Sequence, residues 1–274
     1  MGTRFGSLSG RWEGRLLTCI RKVLLLVILA TVCGSAAAAQ QLTVAAAADL
    51  NYALTELAHR FESTTGTSVK LSFGASGNLY SQILNGAPFD LFFSADEDYP
   101  NKLVAAGVAE ASSLRTYAVG HLVLWVPNSS PFNPEKLQMG VLTQPSVTRI
   151  AIANPQHAPY GRAAMAALEH FGLREKIADK LVFGESVSQA AQFVQSGNAQ
   201  AGLIALSLAK SPSMQSAGKF WELPSEAYPE LRQAVMIVSA SKQKEAATAF
   251  LDFVLSPEGV AVFRQFGLTP PVHP

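Results

Sequence analysis

The sequence predicts an α/β fold of two lobes joined by two crossing strands, and three observations carry that expectation. From Leu42 onward, short apolar strands alternate with amphipathic helices, the pattern of a parallel sheet covered by helices. Two strongly apolar strands, Leu122–Val126 and Ala234–Val238, break this alternation. The segment between them is a self-contained α/β set. At 274 residues, 49% hydrophobic and 15% charged, the chain has enough apolar side chain to build the core that such a fold needs. The expected division is a leader over 1–39, a first lobe over 40–121 plus 236–274, and a second lobe over 122–235.

The elements follow in order. Leu42–Ala46 is expected as a buried strand, and Asp49 as the N-cap of a helix over Leu50–Phe61 with Leu54, Leu57 and Ala58 on one face. Val69–Phe73 is a second strand, Gly74–Gly77 a tight turn, and Asn78–Leu84 a short helix stopped by Asn85-Gly86. Phe89–Phe93 is a third strand, and Tyr99–Ala106 a helix closed by Gly107. Within the second lobe, strands are expected at Arg149–Ala153 and Ala201–Ala205. Helices are expected at Arg162–Phe171, Arg174–Leu181 and Val187–Gln195. Lys242–Leu255 and Pro257–Phe266 then return as helices to the first lobe.

The first 39 residues have a different character. Arg21-Lys22 precedes the apolar run Val23–Val32 and the small-residue stretch Gly34–Ala39, which has the form of an export signal cleaved after Ala39. The apolar run is about half the ~20 residues that cross a bilayer, which argues against a membrane anchor. Both cysteines, Cys19 and Cys33, lie in this stretch, so the mature chain has neither a disulfide nor a thiolate metal site. Five of the 21 basic residues and one of the 20 acidic residues also lie here, leaving 16 basic against 19 acidic in the remainder. That balance gives no electrostatic surface for nucleic acid.

In open parallel sheets, ligands collect where strands end and helices begin. Here those turns are small and polar: Ala46–Asp49, Gly74–Gly77, Asn154–Gly161 and Glu185–Val187. Free backbone N–H groups at helix starts hold an anion without a formal cation. The same residue types also serve as plain caps and turn formers. An enzyme is disfavoured. Ser76 in Gly74-Ala75-Ser76-Gly77 lacks the glycine two places on that a nucleophile elbow requires, and Asn78 stands there. His59, His121, His157, His170 and His273 show no metal spacing.

At these turns the chain resembles the periplasmic molybdate-binding proteins that serve ABC importers. The resemblance runs from about Leu42 to Leu268 and is carried by Thr43-Val-Ala-Ala-Ala-Ala-Asp-Leu50, Asn85-Gly-Ala-Pro-Phe-Asp-Leu-Phe-Phe-Ser-Ala-Asp96 and Asn154-Pro-Gln-His-Ala-Pro-Tyr-Gly161. It implies the two-lobed, type II-like periplasmic-binding-protein fold, closing on molybdate or tungstate through hydroxyl and N–H donors. No cofactor is implied, and the partner would be a membrane permease. A monomeric, exported, non-enzymatic carrier is expected, with a carrier for another small oxyanion or carboxylate as the alternative. By position, Ser76 resembles the serine giving hydroxyl and amide, while Tyr160 and Val187 fall where second-lobe amides reach the anion. Two positions depart from the pattern. Asp49, with Ala48, stands where a hydroxyl donor is usual, and Ala205 where some members have a tyrosine. An ionised Asp49 facing a dianion in a dry cleft would cost several kcal/mol. The expectation is therefore a cap turned away, accepting from the amide of Asn51 or Tyr52, while the amides at 48–49 face the anion; the missing donor is either lost or supplied elsewhere, with the Tyr160 hydroxyl a candidate.

Overall fold

A computed structural model describes residues 1–2 and 41–271, so the expected leader and both cysteines lie outside the described residues. The first sheet is built from β1 (Gln41–Ala47), β2 (Ser68–Gly74), β3 (Leu91–Ser94) and β4 (Arg115–Gly120). Helices α1 (Asn51–Thr65), α2 (Ser76–Leu84) and α3 (Asp98–Ala105) connect these strands. The second sheet begins at β5 (Leu122–Pro127) and, after the single turn α4 (Pro134–Leu137), continues through β6 (Ile150–Ala153). Next come α5 (Pro159–His170), β7 (Leu181–Gly184), α6 (Val187–Gln195) and β8 (Ala201–Ala205). The short helices α7 (Leu206–Ala209) and α8 (Pro212–Ala217) lead into β9 (Gly218–Glu222). Strand β10 (Leu231–Ile237) and helices α9 (Lys244–Leu255) and α10 (Pro257–Gln265) complete the first lobe.

The strand orders are β2-β1-β3-β10-β4 and β7-β6-β8-β5-β9. The two sheets share one plan. In each, three parallel strands are followed by one antiparallel strand, β10 in the first sheet and β5 in the second. The chain passes between sheets twice, as expected, but the crossings precede the two apolar strands, at His121 and over 223–230. Residues 231–235, given to the second lobe by the sequence boundary, therefore belong to the first sheet.

Local chemistry accounts for the elements. In α1, Leu54, Leu57, Ala58 and Phe61 recur at helical spacing and are buried. Gly66 ends the helix at φ +73°, a conformation that costs other residues, and donates back to the Glu62 carbonyl at 2.9 Å. In β3 the alternation splits the core: Leu91 and Phe93 pack with Phe61, Phe250 and Phe263 on one face, and Phe92 with Leu79, Ile83 and Met236 on the other. Fully burying each phenylalanine contributes roughly 1.5–3 kcal/mol. Asp90 pins the start of β1 to this strand, its Oδ2 accepting from the Thr43 amide at 2.8 Å and its Oδ1 from Ser241 Oγ at 2.7 Å. A third apolar cluster fills the second lobe around Trp125, Ile152 and Leu203. It extends to Ala47, Ala75 and Ala95 of the first lobe.

Candidate functional site

The turns after β1, β2, β6 and β7 meet around one small cavity. Asp49, Ser76, Tyr160 and Val187 all line it, with alanines 47, 48, 75, 95 and 158 filling the spaces between them. Among the described residues, no lysine, arginine or histidine lines this cavity. Any negative charge inside must therefore be met by neutral dipoles.

Three helices supply those dipoles. Ser76 is the first residue of α2, Val187 the first of α6, and Tyr160 the second of α5 behind Pro159. Amides at these positions have no acceptor within their own helix, and none of the three donates to another backbone group among the described residues. Proline suits the first position because its missing N–H would be unpaired there. Ser186 caps α6 by accepting from the Gln189 amide at 3.3 Å, which fixes the helix start that presents Val187. Gly161 lets α5 approach β6, because a Cβ there would sit 2.3 Å from the Ala153 carbonyl oxygen.

Ser76 is 1% exposed and its Oγ accepts from the Ala95 amide at 3.0 Å, which leaves the hydroxyl proton to be donated elsewhere. Ser76→Ala should thus act twice. Losing a donor to a charged ligand costs about 1–3 kcal/mol of binding, and the orphaned buried amide of Ala95 costs a similar amount of folding stability. Calorimetric titration and urea unfolding of the same variant measure the two losses. An unchanged affinity would remove Ser76 from the ligand shell.

The environment of Asp49 corrects the sequence expectation. Residues Ala48–Leu50 form a 3₁₀ turn, α1 starts only at Asn51, and no side chain caps it. The Asp49 carboxylate is instead buried between the lobes: Oδ2 accepts from Gln233 Nε2 at 2.6 Å and from the Tyr160 hydroxyl at 3.1 Å. Tyr117 donates to Gln233 Oε1 at 2.7 Å and so sets the orientation of the amide. A bulge at Gln233/Ala234 against β4 aims that side chain, and Gly120 leaves room for it, since a Cβ there would meet Tyr160 and Gln233. Tyr160 gives its one hydroxyl proton to Asp49, so it does not replace a missing donor to the anion. Ala205 is buried and caps α7, away from the cavity lining. Two residues on, Ser207 Oγ donates to the Asp49 carbonyl at 2.7 Å.

Burial pushes the Asp49 carboxyl up from 3.8 to about 6, against the opposing pull of Gln233, Tyr160 and its own amide. Burial and the neighbouring Asp49 likewise hold the Tyr160 phenol well above its ordinary range. The folded chain holds the Asp49 proton more tightly than the unfolded chain. This residue's contribution to stability is full below pH 3.8 and is lost as pH rises through about 6.

Outside the cavity, further contacts cross from lobe to lobe. The Gly77 amide donates to the His157 carbonyl at 2.8 Å. Arg162 Nη2 meets Asp96 Oδ2 at 2.5 Å, with the guanidinium 5.5 Å above the Tyr99 ring. The Tyr52 hydroxyl is 3.2 Å from Ser213 Oγ. His157, set in a candidate site loop, contributes its carbonyl here, while its Nε2 lies 3.4 Å from Glu185. The lobes are closed on one another. Gln233 and Ser207, which hold Asp49, were missed in the sequence; the only sign of Gln233 was a polar residue at the edge of an apolar strand.

A closed two-lobe cleft ringed by neutral donors is the architecture of a solute carrier, and the chain matches the sequence profile of the family described as bacterial extracellular solute-binding protein over residues 42–269. The chain belongs to this family. Among such solute-binding proteins it is 40% identical over 227 residues to the molybdate-binding protein ModA of Azotobacter vinelandii, covering 83% of this chain and 89% of that one. It is 37% identical to the ModA of Rhodobacter capsulatus, again over 227 residues, with 83% and 87% covered. The solved Azotobacter vinelandii periplasmic molybdate-binding protein superposes with a TM-score of 0.79 at 37% identity, covering 84% of this chain and all of the other.

Proposed function

We propose that this solute-binding protein is an exported carrier that captures molybdate or tungstate between its lobes and delivers it to the membrane permease of an ABC importer. The observation that supports this most directly is the cation-free cavity at three helix N-termini, with a serine hydroxyl beside it. The relatives named as molybdate-binding narrow the anion class. The anion is the cargo and is held by its oxygens. No side chain bonds the metal, and no cofactor takes part. The carrier works as a monomer in the periplasm, after removal of the leader over 1–39.

Molybdate, tungstate and sulfate carry the same charge, so selection must come from the size of the donor cage. A cage fitted to the larger anions reaches sulfate on fewer sides, and each imperfect charged hydrogen bond forfeits ~1 kcal/mol. Three or four such bonds give ~100- to 1,000-fold discrimination. Titration calorimetry of the mature chain should show molybdate and tungstate binding at micromolar levels or tighter and displacing one another, with sulfate a poor competitor. Absence of binding by the first two, or equal competition by sulfate, overturns the proposal.

A further inference from the structure

We infer that Asp49 enters the ligand shell as a neutral carboxylic acid, carrying its proton on Oδ1 and donating it to an oxygen of the bound anion. The inference rests on the oxyanion reading above and gives that site a specificity-determining residue. The geometry divides the two carboxyl oxygens. Oδ2 is committed to Gln233 and Tyr160, whereas Oδ1 is buried and has no hydrogen-bond partner among the described residues, on a residue that lines the cavity. A buried oxygen left in this way costs stability unless something fills its valence. If ionised, it could only accept, and it would place a negative charge against a dianion with no cation in the lining. Protonated, the same oxygen becomes a donor on a residue of the cavity lining, available to the anion that the proposed function places there.

The surroundings favour the neutral form. From α5 and β4 the neighbouring titratable groups are the phenols of Tyr160 and Tyr117, both held protonated by burial, and Tyr228 adjoins Tyr160. From β10 comes the neutral amide of Gln233, and from α7 the Ser207 hydroxyl on the main-chain carbonyl. Helix α6, which packs on the 48–50 turn, contains no charged residue, and Lys70 of β2 is exposed. The charged residues of α1, Glu56, His59, Arg60 and Glu62, begin two turns beyond Asp49, and Arg60 is paired with Glu56 and Glu258. Asp96, which also acts on Tyr117, is paired with Arg162. The ligand-free carboxyl already titrates at about 6, and an anion beside it raises this further.

The test is calorimetry of molybdate binding in two buffers of different ionisation enthalpy, from pH 5.5 to 8.5. Proton uptake by the wild-type protein should approach one per anion near pH 7.5, and affinity should fall about tenfold per unit as pH rises from 6 toward 8. Asp49→Asn puts a permanent neutral donor in place of the acid, so uptake should disappear and affinity at pH 8 should exceed that of the wild type. Measuring uptake on the unmodified protein keeps the test independent of how the variant folds. Tight binding with no proton uptake shows an ionised Asp49 and overturns the inference while leaving the carrier role intact. A preference for hydrogen phosphate, which brings its own donor to a carboxylate, overturns it equally. Failure to bind molybdate at any pH instead overturns the functional reading on which it rests.

Discussion

Gly77→Val is expected to weaken anion binding about 100-fold while leaving the melting temperature of the ligand-free protein close to that of the wild type. A Cβ at residue 77 would stand 2.5 Å from the Tyr99 hydroxyl and 2.8 Å from both Cβ and the carbonyl oxygen of His157. The first contact is with the far end of a side chain in the same lobe, which can rotate aside. The second is with the main chain of the opposite lobe and is relieved only by separating the lobes. Separation also breaks the 2.8 Å hydrogen bond from the Gly77 amide to His157. Overpacking of this kind costs about 1–3 kcal/mol and the hydrogen bond about 1 kcal/mol, which together approach two decades of affinity. Calorimetry measures the loss. Small-angle scattering with saturating molybdate should find the variant more open than the wild type. A variant that binds with wild-type affinity would show that the contact at Gly77 is incidental to closure.

Gly161→Ala should damage the second lobe itself. Its Cβ would lie 2.3 Å from the Ala153 oxygen and 2.8 Å from main-chain atoms of Asn154 and Pro155, none of which can turn away. Helix propensity alone favours alanine over glycine by about 1 kcal/mol. The clash is the larger effect, because relieving it lifts the first turn of α5 from the end of β6, so a net loss of about 2 kcal/mol is expected. The adjacent Tyr160 amide moves with that turn, and its hydroxyl leaves Asp49. Binding should therefore weaken at least tenfold in protein that remains folded. Urea unfolding followed by titration checks both. A more stable variant would mean that propensity outweighs the close approach.

How far the molecule could be read from its sequence depends on how local each feature is. Strands such as Leu42–Ala46 and Ala201–Ala205 are buried on both faces and announce themselves as apolar runs; the structure extends the first by one residue at each end. β7 and β9 are edge strands with exposed positions, β4 begins on polar residues, and none of the three stood out. Helix α5 starts three residues before the expected Arg162, because Pro159 has the look of a turn residue in sequence yet suits a first helical position. At the site, the turns that carry Ser76, Tyr160 and Val187 are legible as small polar stretches after strands, whereas the three residues themselves come from the family resemblance and two of the helices begin earlier than expected. The partners of Asp49 were not legible. Its capping role follows a sound local rule, but its carboxylate is claimed by Gln233, 184 residues away, and by Tyr160, 111 residues away. Only the placement of β10 beside β3, itself beside β1, and the closure of the lobes bring those groups together.

The donors at Val187 and Tyr160 are main-chain amides, and this alters what substitution can reach. Side-chain replacement leaves such a donor in place as long as the helix begins at the same residue, so an alanine scan of the cavity would register Ser76 and Asp49 and pass over Val187. What fixes those donors is the chemistry of starting a helix: Ser186 for α6 and Pro159 for α5. On the proposed carrier role, replacing the Val187 side chain should change binding less than replacing Ser186 or Pro159, which set where α6 and α5 begin. Specificity in such a site would then reside in loop shape more than in the side chains that face the cavity.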